Sequence, residues 1–319
     1  MITLITMKRN RKRTTSSPAN RLTLALLVLG GVAGILLAAL FFWPSGSRPV
    51  MPPAADHKSP AFLPENGTAY EYSSGSGKPT PSPSAAPEAL VKKKASIAIV
   101  IDDAGNDLAA LDRFLAFPGK LSIAVLPQLP HSRESAQRAH AAGKEVILHL
   151  PLEPLGSENP GPGAVLVSFS RDRIRNVLDE DFATVPFAAG VNNHMGSLGT
   201  QDRAVMDALM SYLKEKNKYF VDSRTVSSTL GKEYAGRYGV PAAERNIFLD
   251  DRPEPGSVLR ALNDGAVYAR LHGRALLIGH VQNRAVLNAL LEQYEGLVSS
   301  GIEFVTVSEY LRARGGAEP

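Results

Sequence analysis

The stretch Ser96-Ile-Ala-Ile-Val-Ile-Asp-Asp-Ala-Gly105 decides the fold. Its first half is a short apolar run rich in β-branched residues, which reads as a strand, and it stops on two carboxylates followed by a glycine. Adjacent aspartates point to opposite sides of a strand unless the chain turns, and Gly105 lets it turn so that both face one mouth. Outward from this stretch the pattern recurs. Strands are expected over 96–101, 121–126, 145–150, 188–191, 219–221, 247–249, 275–278 and 303–307, with stretches of helical period between most of them. The clearest helix is expected over 202–216, where Val205, Leu209, Tyr212 and Leu213 share one face and Thr200 or Asp202 caps the start. Another is expected over 285–300, stopped by Gly301. Alternating β and α units surround a mainly parallel sheet. The expected fold class is therefore α/β, a distorted (β/α) barrel of about seven units. A doubly wound open sheet is the alternative.

The chain before residue 93 is of another kind. Residues 1–21 carry a basic run, Lys8, Arg9, Arg11, Lys12 and Arg13, with Arg21 close behind, and residues 22–43 hold no charge at all. Such a segment, at 1.5 Å per residue, crosses a hydrocarbon core of about 30 Å. The positive flank leaves the N-terminus in the cytoplasm, which predicts a single-pass inner-membrane anchor with the rest on the periplasmic or extracytoplasmic side. A cleaved signal peptide is the competing reading, but the run ends in bulky Phe41, Phe42 and Trp43 rather than in small residues. Residues 44–92 are crowded with Pro, Ser, Gly and Ala and are expected to form a disordered linker. Residues 93–319 form the folded domain. Its charge gives no sign of a nucleic-acid partner, because the net +4 of the chain is accounted for by the N-terminal basic run. Cysteine is absent, which excludes disulfides, thiolate metal sites and Cys nucleophiles.

Polar residues gather where the expected strands end. In β/α barrels that end carries the catalytic groups. Asp102 and Asp103 end the first strand, His149 and Glu153 lie at the end of the third, and Asn192-Asn193-His194 follows the fourth. Asp222 and Arg224 follow the fifth, and His280 the strand at 275–278. Histidine with carboxylate is the usual ligand set of a catalytic zinc or related divalent ion, and Asp103, His149 and His194 would make such a triad. Asp102 is then placed to act as a base and His280 to protonate a leaving amine. Each residue also has a plainer reading. Asp-Asp-x-Gly can be a turn, His149 a core histidine, Asn192 to Gly196 a tight turn, and Asp222 with Arg224 a structural ion pair. His131 either lines a substrate groove or merely precedes a helix capped by Ser132. Asp250-Asp251 either supports the site or forms a turn. The ordered set, rather than any one motif, argues for a site.

These motifs resemble the divergent polysaccharide deacetylase family, a branch of the NodB-like carbohydrate esterases. The resemblance runs over about 96–311 and is carried by Ile99-Val-Ile-Asp-Asp-Ala-Gly105, Ile147-Leu-His-Leu-Pro-Leu-Glu153, Asn192-Asn-His-Met-Gly-Ser197 and Phe220-Val-Asp-Ser-Arg-Thr225. It implies a distorted β/α barrel, with Asp102 matching the base, Asp103 a metal ligand and His280 the acid. Where mainstream members carry a second histidine four residues after the first, this chain has Glu153, and the second histidine ligand is expected from His194 instead. Asn192–Ser197 stands in place of the usual third motif.

The expectation is a metal-dependent hydrolase, with zinc as its divalent ion, acting on N-acetylated sugars of an envelope polysaccharide. Asp102 and His280 are its catalytic pair, and Asp103, His149 and His194 its ligands. Glu153, Asn193, Asp222, Arg224 and His131 are expected around the substrate or behind the ligands. The alternative is a non-catalytic envelope protein that binds glycan or protein on the same scaffold. Phosphate or nucleotide binding is disfavoured, because no Gly-rich phosphate loop follows a strand.

Overall fold

The computed structural model describes residues 94–252 and 254–313. The expected basic N-terminus, membrane anchor and linker (1–21, 22–43 and 44–92) lie outside the described residues. Among those described, no helix is long and apolar enough to cross a membrane.

The strands are β1 (Ala95–Ala104), β2 (Ser122–Val125), β3 (Glu145–Leu152), β4 (Gly190–Met195), β5 (Tyr219–Asp222), β6 (Ala242–Glu244), β7 (Ile247–Phe248), β8 (Arg274–His280) and β9 (Ile302–Val305). The helices are α1 (Leu108–Leu115), α2 (Ser132–Ala141), α3 (Arg171–Thr184), α4 (Arg203–Glu215), α5 (Gly231–Tyr238), α6 (Ser257–His272), α7 (Arg284–Ser299) and α8 (Val307–Arg312). All strand pairs are parallel, in the order β6-β5-β4-β3-β2-β1-β8-β7, with β9 on the lower half of β1. This is a parallel, curled α/β sheet, consistent with a (β/α) barrel.

Each expected strand has a counterpart. The one strand missed is β6, three residues long and too short to show an alternation. Only Arg245 and Asn246 separate it from β7, so the segment 242–248 leaves the edge of β5 and joins the edge of β8. The Asn246 side chain stands in for a ladder partner, its Oδ1 accepting from Leu276 N at 2.7 Å. The helix ends follow their sequence signals. Asp202 caps α4 by accepting from Val205 N, and α7 stops before Gly301 at φ 93°.

Alternation divides the sheet's two faces. Ile97, Ile99, Ile101, Ile123, Leu148, Val191 and Leu277 point outward into one large core with α1 to α7. Ala98, Val100, Ala124, Ile147, Val221, Leu276 and Ile278 point inward, where Val307 and Tyr310 of α8 join them. Full burial of such a side chain contributes about 1.5–3 kcal/mol. Continued along the same strands, the inward set becomes Asp102, His149, Asn192, His194 and His280. The inner core thus ends in a polar layer at the C-terminal edge of the sheet.

Candidate metal and catalytic site

Alternation alone would send Asp103 outward. The chain breaks it at Asp103 itself, which is left-handed at φ 65°, and the β1–β2 register shifts between Ile101 and Ala104. The turn expected at Gly105 therefore begins two residues earlier, and Gly105 completes it at φ 129°, with Leu126 O only 3.1 Å from where a Cβ would stand.

With the turn made, Asp103 Oδ1 lies 3.2 Å from His149 Nε2 and 3.2 Å from His194 Nδ1. The two ring nitrogens are 3.1 Å apart, and the rings meet at 71°. Asp103 Oδ1 is buried, yet it accepts no hydrogen bond. Three potential ligand atoms, one each from Asp103, His149 and His194, therefore converge on one point. A tetrahedral ion with bonds of about 2.0–2.1 Å spaces its ligand atoms about 3.3 Å apart. The spacing and the donor types both fit a divalent ion such as zinc.

The electrostatics follow from burial and crowding. Burial pushes the Asp103 carboxyl up, but the imidazoles of His149 and His194 outweigh it and hold the group well below the usual carboxylate range. Burial raises the Asp102 carboxyl, with His149 and His280 pulling against it. For His149 burial acts downward, but Asp102 and Asp103 prevail and the net shift is upward. Asp102 Oδ2 stands 3.6 Å from His149 Nε2, beside the triad rather than in it.

His280 enters from the neighbouring strand, where it is the register partner of Asp102. Its Nδ1 is 2.9 Å from Asp250 Oδ1, and its backbone N–H donates to Asp250 Oδ2 at 3.1 Å. The hydrogen bond with Asp250 lifts the imidazole to about 9 against the opposing effect of burial, and Asp102 adds to the rise. The ring lies nearly parallel to Phe248, with centroids 5.9 Å apart.

The other expected site residues make their described polar contacts with groups outside the triad. Glu153 accepts from Val167 N through its carboxylate and from Leu198 N and Gly199 N through its carbonyl, which ties the loop after β3 to the loop after β4. Asn193 binds Met195 O and Ser223 N, joining the ends of β4 and β5. Asp222 accepts from Thr229 Oγ1 and Arg224 N, and the Arg224 guanidinium pairs with Glu244 at 2.6 Å rather than with Asp222. His131 precedes α2, half-buried, with Glu134 at 3.7 Å. Ser132 does not cap that helix; its hydroxyl binds Leu126 O and Leu129 N.

Two residues at the site carried weaker sequence signals. Asn192 looked like part of a turn, yet it sits inside β4, fully buried, between Asp102 and His149. Its inward parity with His194 was the available clue. Asp250 was readable either as a turn or as support for the site, and its bonds to His280 give it the supporting position.

The model of the divergent polysaccharide deacetylase family matches residues 99–311, two-thirds of the chain and nearly all of its folded part. The chain belongs to that family. It is 35% identical to an uncharacterized protein of Haemophilus influenzae over 187 residues, which are 59% of this chain and 67% of that one. It is 38% identical to the uncharacterized protein YibQ of Escherichia coli over 184 residues, 58% of each chain. The crystal structure of an uncharacterized protein from Agrobacterium tumefaciens superposes with a TM-score of 0.64 at 22% identity, covering 68% of this chain and 89% of that one. That likeness is one of fold. Membership of the divergent polysaccharide deacetylase family makes the scaffold deacetylase-like.

Proposed function

We propose that this member of the divergent polysaccharide deacetylase family is a metal-dependent hydrolase that removes acetyl groups from N-acetylated sugars of a cell-envelope polysaccharide. One observation carries the reading: Asp103 Oδ1, His149 Nε2 and His194 Nδ1 converge within 3.1–3.2 Å, with Asp102 and His280 on adjoining strands beside them. The three converging residues would hold the ion. A divalent ion bound there, zinc by its ligand types, would supply Lewis acidity to the amide carbonyl and to water.

The remaining steps belong to the chain. Asp102, beside the triad and anchored through Asn192, takes a proton from water as its oxygen attacks the acetyl carbon. His280, held in its protonated form by Asp250, gives a proton to the sugar nitrogen as the C–N bond breaks. Acetate and a free amine leave. The adjacency of Asp102 and His280 in the β1–β8 ladder sets the base and the acid side by side at the mouth.

The place of action follows from the N-terminal segment. We propose that residues 22–43 anchor the chain in the inner membrane, that 44–92 are the tether, and that the domain works on the extracytoplasmic side against envelope glycan. Protease added to intact spheroplasts then removes the domain.

The activity is tested by incubating the full chain with N-acetylated envelope glycan and measuring acetate. Release that stops with a chelator and returns with zinc is expected. No release from any such glycan, with glycan binding intact, would replace this reading with that of a binding scaffold.

A further inference from the structure

We propose that Asn192 is a positioning residue that selects the imidazole tautomer of His149 and so makes its Nε2 a ligand atom. The inference rests on the reading of Asp103, His149 and His194 as a metal centre.

Asn192 has no exposed surface. It is the register partner of His149 across the β3–β4 ladder. Its amide touches two groups of the site at once: Nδ2 donates to Asp102 Oδ1 at 2.8 Å, and Oδ1 is 2.9 Å from His149 Nδ1. The two contacts constrain each other. A carboxylate only accepts, so the amide nitrogen faces Asp102 and the amide oxygen is left for the imidazole. An amide oxygen also only accepts, so His149 must carry a proton on Nδ1. With Nδ1 committed, the neutral ring keeps its lone pair on Nε2, the atom that faces Asp103 and His194. The other neutral tautomer would set a bare Nδ1 against the Asn192 oxygen and put a hydrogen where the three ligand atoms converge. A buried amide that fixes a ligand imidazole in this way commonly changes metal affinity by about 10–100-fold when removed.

The Asn192 variants separate this role from simple packing, because the two make opposite demands. If Asn192 only fills space, Asn192→Leu, of similar size and apolar, is the tolerated change, and Asn192→Asp, which sets a second carboxylate against Asp102, is the damaging one. If Asn192 selects the tautomer, Asn192→Asp still accepts the Nδ1 proton and Asn192→Leu does not.

The measurement is zinc affinity of the full chain by chelator competition, alongside nitrogen-15 NMR of labelled histidine in the zinc-loaded protein. In the wild type the His149 Nδ1 should bear a slowly exchanging proton. Zinc affinity should fall at least about tenfold in Asn192→Leu, with loss of that protected proton, and stay within about fivefold of wild type in Asn192→Asp. Zinc affinity kept in Asn192→Leu and lost in Asn192→Asp would overturn the inference while leaving the metal centre standing. A wild type that binds no zinc would instead overturn the metal reading, and this inference with it.

Discussion

Both ends of the sheet's inner face hold carboxylates, Glu145 by strand alternation and Asp103 through the turn that breaks it, and they treat them differently. At the foot, Glu145 meets Ser122 Oγ at 2.6 Å, Val307 N at 2.9 Å and Ser308 N at 3.1 Å, so that the first turn of α8 is pinned under β2 and β3. A carboxylate at a helix start is well placed there, and every contact is a donor. At the mouth, Asp103 Oδ1 has two imidazole nitrogens at 3.2 Å and accepts from neither. Those imidazoles, rather than backbone donors, hold the carboxyl well below the usual carboxylate range. The foot is a carboxylate bound by backbone and hydroxyl donors of the chain. The mouth is a carboxylate set against two imidazoles, the donor types that bind a divalent ion.

The contrast breaks first, and by the largest amount, at Asp102. Asp102→Asn keeps a hydrogen-bonding shape beside Asn192 but removes the proton acceptor. Acetate release should fall at least about a hundredfold while zinc content is unchanged. A rate within about threefold of wild type would move the base elsewhere.

Asp250 sharpens the same contrast through pH. His280 is raised to about 9 chiefly by Asp250, so its proton is held through neutral pH and lost as pH rises through about 9. Asp250→Asn should return the group toward about 6.5, the ordinary imidazole value. At pH 8 the protonated fraction, and the rate with it, should then drop by about thirtyfold, while below pH 6 the two proteins should differ little. An alkaline limb that does not move would remove His280 from proton transfer.

The smallest effect on chemistry is expected at the foot. Glu145→Gln should lower the unfolding free energy by about 1–3 kcal/mol in denaturant titrations, because charge-assisted bonds to the α8 start are weakened. Zinc binding and acetate release should not change. Loss of zinc in that variant would mean that the two ends are not independent.

Much of this was legible in the chain itself. Ile97 to Ile101 announced β1, and the recurrence of such runs announced a parallel α/β fold, because apolar runs of strand length report burial directly. The converging triad was legible because Asp103, His149 and His194 all fall where an apolar run stops. Two things were not. β6 has three residues and takes its place from β5, a partner more than twenty residues away in sequence, which no local pattern encodes. Asn192 carries an amide that is equally at home in a turn, and only the curl of the sheet brings Asp102 of β1 within its reach. The Asp103 turn lay between these cases: the need for it followed from two adjacent aspartates, but its position, at Asp103 as well as Gly105, did not.

The central claim is that the mouth is a metal centre, and zinc content of His194→Ala tests it most directly. The full chain, loaded with zinc and passed through a desalting column, should retain about one equivalent as wild type and less than about a tenth of that as His194→Ala, with both proteins unfolding at similar temperatures in chelator. Full zinc retention by a folded His194→Ala protein would contradict the account.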